Sequence, residues 1–189
     1  MCSRYELNAT AAEVASRFGL TVPPPLPNRA EVRPTDFALV IMPGHLGRLA
    51  RWGLEAAWDR RPMINARAET LARRPAFKRL LGNRVLIPAS RWFEWRHEPG
   101  GGKTRFTLFP AGGGLFAFAG LLDGDRFTMV TCAPCPAIAH VHDRMPVVLA
   151  NGAEAAWLDP DVPLDSGLLR PFAGEVAAEA EAPEQPSLF

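Results

Sequence analysis

The sequence predicts an α+β fold dominated by antiparallel β-sheet, with a few short flanking helices. Five strand-like runs follow one another between residues 84 and 131, separated by Gly-rich or Asp-Gly turns. The helical patterns are short and too few for βαβ crossovers. With 189 residues and 48% hydrophobic content the chain can bury one substantial core, so residues 2–173 are assigned to a single domain. Residues 174–189, mostly Ala, Glu and Pro, are expected to form a flexible acidic tail.

Each element has its own signal. Thr10 and Glu13 form a capping box, and Val14 with Phe18 makes an apolar stripe that stops at Gly19, which predicts a helix over 10–18. Pro23 to Pro27 cannot continue it. Phe37 to Met42 reads as a strand, and Arg48 to Gly53 as another. Pro75 opens a helix carrying Phe77, Leu80 and Leu81 and closed by Gly82. The runs Arg84 to Ile87, Arg91 to Arg96, Thr104 to Phe109, Leu115 to Leu122 and Phe127 to Thr131 read as antiparallel meanders. A last short helix is expected from Asn151 or its neighbour through Trp157.

The net charge of +1 conceals a segregation. Residues 48–105 carry fourteen basic residues against five acidic ones, whereas residues 150–189 carry eight acidic residues against Arg170. A basic middle favours a polyanionic partner, and the preponderance of arginine suits phosphate; a solvated face or a G- and C-rich genome produces the same pattern. The chain lacks any run of eighteen uncharged apolar residues and any basic-then-apolar leader, so a soluble, cytoplasmic protein is expected without membrane contact. Three cysteines argue against a disulfide framework and fit a reducing compartment.

Cys2 is the most informative residue. Removal of Met1, expected when the second residue is small, leaves a 1,2-aminothiol. Such a pair traps aldehydes: the amine condenses to an imine and the thiol adds to the same carbon, closing a thiazolidine. An α-amine titrates at about 7.7–8.0 and a lysine at about 10.4, so the former is the better nucleophile near neutrality.

Four polar clusters have places around an aldehyde at Cys2. Asn65-Ala66-Arg67-Ala68-Glu69-Thr70 sets an amide and a guanidinium ahead of a helix, where Asn65 alone also reads as an N-cap. In Trp92-Phe93-Glu94-Trp95, strand alternation puts Glu94 opposite Phe93 and Trp95, either on a solvated face or in a dry site with a raised pKa. His142-Asp143-Arg144-Met145-Pro146 mixes acid, base and imidazole before an apolar strand. Trp52-Gly53 offers an indole that either fills the core or stacks on a base. Cys132-Ala133-Pro134-Cys135, near His140 and His142, lacks the second pair of a zinc site and the strand-to-helix context of a redox pair, so no metal and no cofactor is assigned.

These stretches together resemble the SRAP family, the SOS-response-associated peptidase-like proteins that shield abasic sites in single-stranded DNA. The resemblance rests on Met1-Cys2-Ser3-Arg4-Tyr5, Arg33-Pro34-Thr35-Asp36, Trp52-Gly53-Leu54, Asn65 to Thr70, Ile87-Pro88-Ala89 through Glu94-Trp95, and His142 to Pro146, in the family's order. It implies a barrel-like core, Cys2 as nucleophile, and Asn65, Glu94 and His142 around it. It further implies DNA contacts from Arg4, Trp52, Gly53, Arg67 and Thr131, and a nucleoid-associated monomer. The chain departs from the family pattern at Ser3, at Glu55-Ala56-Ala57 and at Arg91.

The resemblance implies covalent capture of abasic sites, with lyase and autopeptidase activities as companions. Two other readings are an N-terminal-nucleophile cysteine peptidase and a noncatalytic single-strand-binding module. The terminal Gln185-Pro186-Ser187-Leu188-Phe189 resembles the peptide that bacterial sliding clamps accept, with Gln185, Leu188 and Phe189 as its anchors.

Overall fold

The computed structural model describes residues 2–26, 30–56, 59–164 and 167–181. In chain order the elements are β1 (Arg4–Glu6), α1 (Ala11–Phe18), β2 (Glu31–Val32), β3 (Phe37–Met42), β4 (Leu46–Trp52), β5 (Leu54–Ala56), β6 (Asp59–Met63), β7 (Asn65–Arg67), a 3-10 turn (Ala68–Thr70), α2 (Pro75–Lys78), β8 (Arg84–Ala89), β9 (Arg91–His97), β10 (Lys103–Pro110), β11 (Phe116–Asp123), β12 (Arg126–Cys132), β13 (Met145–Pro146), β14 (Val148–Leu149), α3 (Ala153–Leu158) and β15 (Val176–Ala180). The capping box at Thr10 and Glu13 forms as expected, and Gly19 closes α1 in the left-handed conformation at φ 64°.

Five strands close on themselves. β3 pairs with β4, β4 with β12, β12 with β11, β11 with β8, and β8 returns to β3. Every residue of β8 is buried, and β11 is buried from Phe116 to Leu122, because side chains fill the ring on one side and other elements cover the opposite side. Most of the pairing is antiparallel as expected, but β12 runs parallel to β4 and to β7. Of the strands over residues 84–131, β8, β11 and β12 enter the ring, while β9 and β10 join a second sheet. Closure needs β3 and β4 from the N-terminal half, and β4 arrives in the same direction as β12.

A second sheet, ordered β15-β10-β9-β1-β2, lies against the barrel. Aromatic rings join the two layers. Tyr5 of β1 sits 5.3 Å from Trp52 and 5.9 Å from Phe118, and Trp92 of β9 sits 5.9 Å from Phe118, at angles suited to edge-to-face contact. Part of the segment expected to be a tail from residue 174 is a strand. Val176–Ala180 pairs with Phe106–Pro110, and Val176 is buried, so alternating small residues and a free sheet edge outweigh the low hydrophobicity of the segment. Gln185, Leu188 and Phe189 lie outside the described residues, as does the clamp-like peptide they define.

One of the fourteen basic residues is internal. Arg84 is 4% exposed, donates to the carbonyls of Leu81, Asp159 and Val162, and lies 5.1 Å from the Trp157 ring centroid. It ties the α3 region to β8 and has no part in a basic surface. Arg84→Met, which keeps the stem and removes the donors, is expected to lower stability by about 2–4 kcal/mol, measured by denaturant unfolding, by leaving these carbonyls unpaired.

Candidate active site

Strand pairing brings the start of the chain to the middle of β9. Arg4 faces Phe93 and Tyr5 faces Trp92 across β1 and β9, which sets Cys2 beside Glu94. β7 lies parallel to β12 with Asn65 opposite Met129, and from there the Asn65 amide donates to the Cys2 carbonyl at 2.7 Å. Asn65 is therefore a strand residue that fastens the N-terminal segment, and Arg67 instead stands at the head of the 3-10 turn. Asn65 Oδ1 is buried and makes no hydrogen bond among the described residues.

Cys2 and Glu94 are both withdrawn from water. Cys2 is fully buried, and its Sγ donates to the Arg4 carbonyl at 3.5 Å. Burial first, and the Glu94 charge second, hold its thiol well above the ordinary range. Glu94 is 1% exposed, and of its two possible environments the dry one is found. Burial raises its carboxyl to about 8; the charge of the chain terminus opposes this and Asp143 reinforces it.

His142 reaches the pair from a turn that the core anchors. Ile138 and Val141 are buried, and the His142 amide donates to the Ile138 carbonyl at 3.1 Å, which explains why an imidazole follows so apolar a stretch. Its Nδ1 lies 3.0 Å from the Arg144 amide and 2.9 Å from Asp143 Oδ1. Nε2 lies 3.9 Å from Glu94 Oε2, beyond hydrogen-bonding distance. Desolvation chiefly, then the terminal charge, pushes the imidazole below its ordinary pKa.

Two partners escaped the sequence reading because they are distant in the chain. Arg144 forms a bidentate pair with Glu69 at 2.7 and 2.9 Å and donates to the Thr131 carbonyl at 2.8 Å. This brace fixes the turn bearing His142 against β12 and the 3-10 turn. Both residues stand inside the quoted stretches, but no local spacing signals a contact between them.

The expected DNA contacts divide. Arg4 and Arg67 retain exposure, and Arg4 pairs with Glu31 at 2.9 Å. Trp52 is fully buried, its Nε1 donates to the Ile64 carbonyl at 2.8 Å, and it stacks on Phe127, so base stacking gives way to the core-filling reading. Gly53 is buried at φ +120°, and a Cβ there would come within 2.6 Å of the Pro62 side chain; its need is conformational. Thr131 is fully buried and its carbonyl accepts from Arg144. The Arg33 to Asp36 stretch braces the indole residue: Thr35 donates to the Trp52 carbonyl and Trp52 to that of Asp36. Trp52→Ala is expected to cost about 3–5 kcal/mol of stability, read as a lower Tm, whereas Trp52→Phe keeps single-strand affinity within about twofold.

Cys132 and Cys135 are free and buried, and burial pushes the Cys132 thiol up to about 12, which disfavours the thiolate that metal or redox chemistry requires. Among the described residues, no helix is long and apolar enough to cross a membrane.

A closed five-stranded barrel under a second antiparallel sheet, with a polar cluster built on Cys2, defines the class of fold and site to which comparison can be made. The sequence profile described as SOS response associated peptidase (SRAP) matches residues 1–182, and the chain belongs to that family. Abasic site processing protein YoaM of Bacillus subtilis is 32% identical over 184 residues, covering 85% of this chain and 80% of that protein. Abasic site processing protein YedK of Escherichia coli is 34% identical over 121 residues, covering 59% of this chain and 54% of the relative. A crystal structure of a Bacteroides thetaiotaomicron protein superposes with a TM-score of 0.82 at 24% identity over 98% of this chain and 97% of that one, and shares the fold.

Proposed function

We propose that this protein captures abasic sites in single-stranded DNA as a covalent thiazolidine on Cys2. The relatives named as abasic site processing proteins support the substrate class, and the aminothiol supports the chemistry. The observation that carries the reading is the packing of a potential terminal aminothiol against a buried carboxyl with a pKa near 8.

Loss of Met1 turns the Cys2 nitrogen into a primary amine. That amine adds to C1′ of the ring-opened sugar and forms a carbinolamine. Loss of water then gives the imine, with Glu94 protonating the departing hydroxyl and receiving the proton that leaves nitrogen. The thiol finally adds across the C=N bond: sulfur bonds to C1′ and its proton passes to nitrogen. One water is released overall. His142, whose Nε2 faces Glu94 at 3.9 Å, serves as proton donor to the sugar oxygen as the deoxyribose ring opens. Asn65 holds the Cys2 carbonyl through Nδ2 and offers Oδ1 to the new amine.

Intact-mass spectrometry tests the proposal directly. Protein lacking Met1, mixed with a uracil-excised single-stranded oligonucleotide, is expected to gain the mass of the oligonucleotide less one water. A protein that binds the oligonucleotide yet gains no mass overturns it.

A further inference from the structure

The outer face of the second sheet carries an arrangement that the chemistry at Cys2 does not use. Cross-strand register sets Arg4 opposite Phe93, and Arg105 opposite Trp95, so these side chains share the face opposite Glu94. Three guanidinium groups converge there on one carboxylate. Arg4 Nη1 and Arg33 Nε each lie 2.9 Å from Glu31 Oε1, and Arg105 Nη2 lies 2.9 Å from Oε2. Hydrogen bonds from Arg33 and Arg4, with the Arg105 charge, outweigh the burial that would raise this carboxyl and hold it below the usual range.

A second carboxylate comes from the end of the chain. Glu181 lies 3.3 Å from Arg105 Nε and accepts from Thr107 at 3.2 Å. The Nε contact lacks hydrogen-bond geometry, so that buried N–H has no acceptor among the described residues. The guanidinium plane rests 3.9 Å above the Phe93 ring, which orients its fork. Three cations thus face two anions, with one donor unmet, and the cluster begins two residues from the nucleophile, whose thiol bonds the Arg4 carbonyl.

We propose that Arg33 and Arg105, together with Arg4, hold a phosphodiester of the single strand on the face of the sheet opposite Glu94, and that Glu31 and Glu181 compete with this phosphate for the same guanidinium groups. The inference rests on the reading that the lesion lies at Cys2. Each guanidinium gives Glu31 a single hydrogen bond, whereas a phosphate can take two from one fork, and it brings the polymer's own field to the exchange. Glu31, and Glu181 just after β15, therefore act as resident competitors that weaken binding to undamaged DNA.

Fluorescence anisotropy with the full-length protein and an undamaged single-stranded oligonucleotide, across a salt series, tests this. Arg105→Gln is expected to weaken binding about fivefold and to lower the salt slope by about one; Arg33→Gln, at a more exposed position, should act in the same direction. Glu181→Gln should tighten binding about threefold, the scale of one exposed ion pair, while Glu179→Gln, two residues earlier in β15 and outside these contacts, should change little. Wild-type affinity and slope in both arginine variants overturn the proposal, as do equal effects of the two glutamate variants. Adduct formation by wild type on an abasic oligonucleotide is recorded in parallel. If the adduct forms while the arginine variants bind normally, the cluster fails and the reading of Cys2 stands. If no adduct forms while affinities shift as expected, the phosphate site stands and its link to sugar capture falls.

Discussion

Cys2→Ala protein is expected to gain no mass from an abasic oligonucleotide and to leave no denaturation-resistant band on a gel, under conditions in which wild type is expected to be converted. In the proposed reaction both bonds of the thiazolidine come from this one residue, and alanine keeps the amine but removes the sulfur. An imine through the alanine amine can still form, but it hydrolyses on denaturation unless borohydride reduces it. The variant therefore separates capture from transient condensation. Noncovalent affinity for the single strand should stay within about twofold, because the thiol's hydrogen bond is internal, to the Arg4 carbonyl. A parallel loss of noncovalent affinity would assign Cys2 to binding rather than chemistry.

Glu94→Gln is expected to slow adduct formation about 100-fold or more while preserving the shape of the site. Glutamine neither donates an acidic proton nor receives one, so carbinolamine dehydration loses its shuttle. In wild type the rate should fall as pH rises through about 8, where Glu94 ionises, and this limb should vanish in the variant. The same carboxyl makes stability depend on pH. Its native pKa is raised to about 8 from the ordinary 4.5, so between these values the folded state holds a proton that the unfolded state has released. Stability is then full below the lower value and declines as pH rises to the upper one, by about 3–5 kcal/mol across the window. Glu94→Gln should flatten that decline in denaturant titrations at pH 5, 7 and 9. A slope that persists in the variant would move its origin to another group.

Local pattern made much of this architecture legible. The capping box at Thr10, the apolar run of β3 and the individual strands from β8 to β12 all rest on signals within a few residues and appear at their expected places, although β9 and β10 leave the barrel for the second sheet. Closure of the barrel was not legible, because parallel pairing of β12 with β4 depends on a meeting of segments some 75 positions apart, as Arg51 opposite Arg126 illustrates. The quartet of Cys2, Asn65, Glu94 and His142 was legible by resemblance, and the geometry brings its members together. Trp52 and Thr131 show the limit: a residue type suited to DNA contact is equally suited to a core, and only packing decides between them. Charge counting failed in a similar way, since it cannot see that Arg84 is internal or that Arg105 already faces Glu31 and Glu181.

The seclusion of the Cys2 sulfur has a consequence for survival of the protein in a damaged cell. Peroxides attack thiolates that solvent can reach, and sulfenic acid is the first product. A fully enclosed sulfur that keeps its proton offers them neither accessibility nor charge. Oxidation of Cys2 by hydrogen peroxide is therefore expected to be slow in the DNA-free protein, as intact mass after peroxide treatment would show.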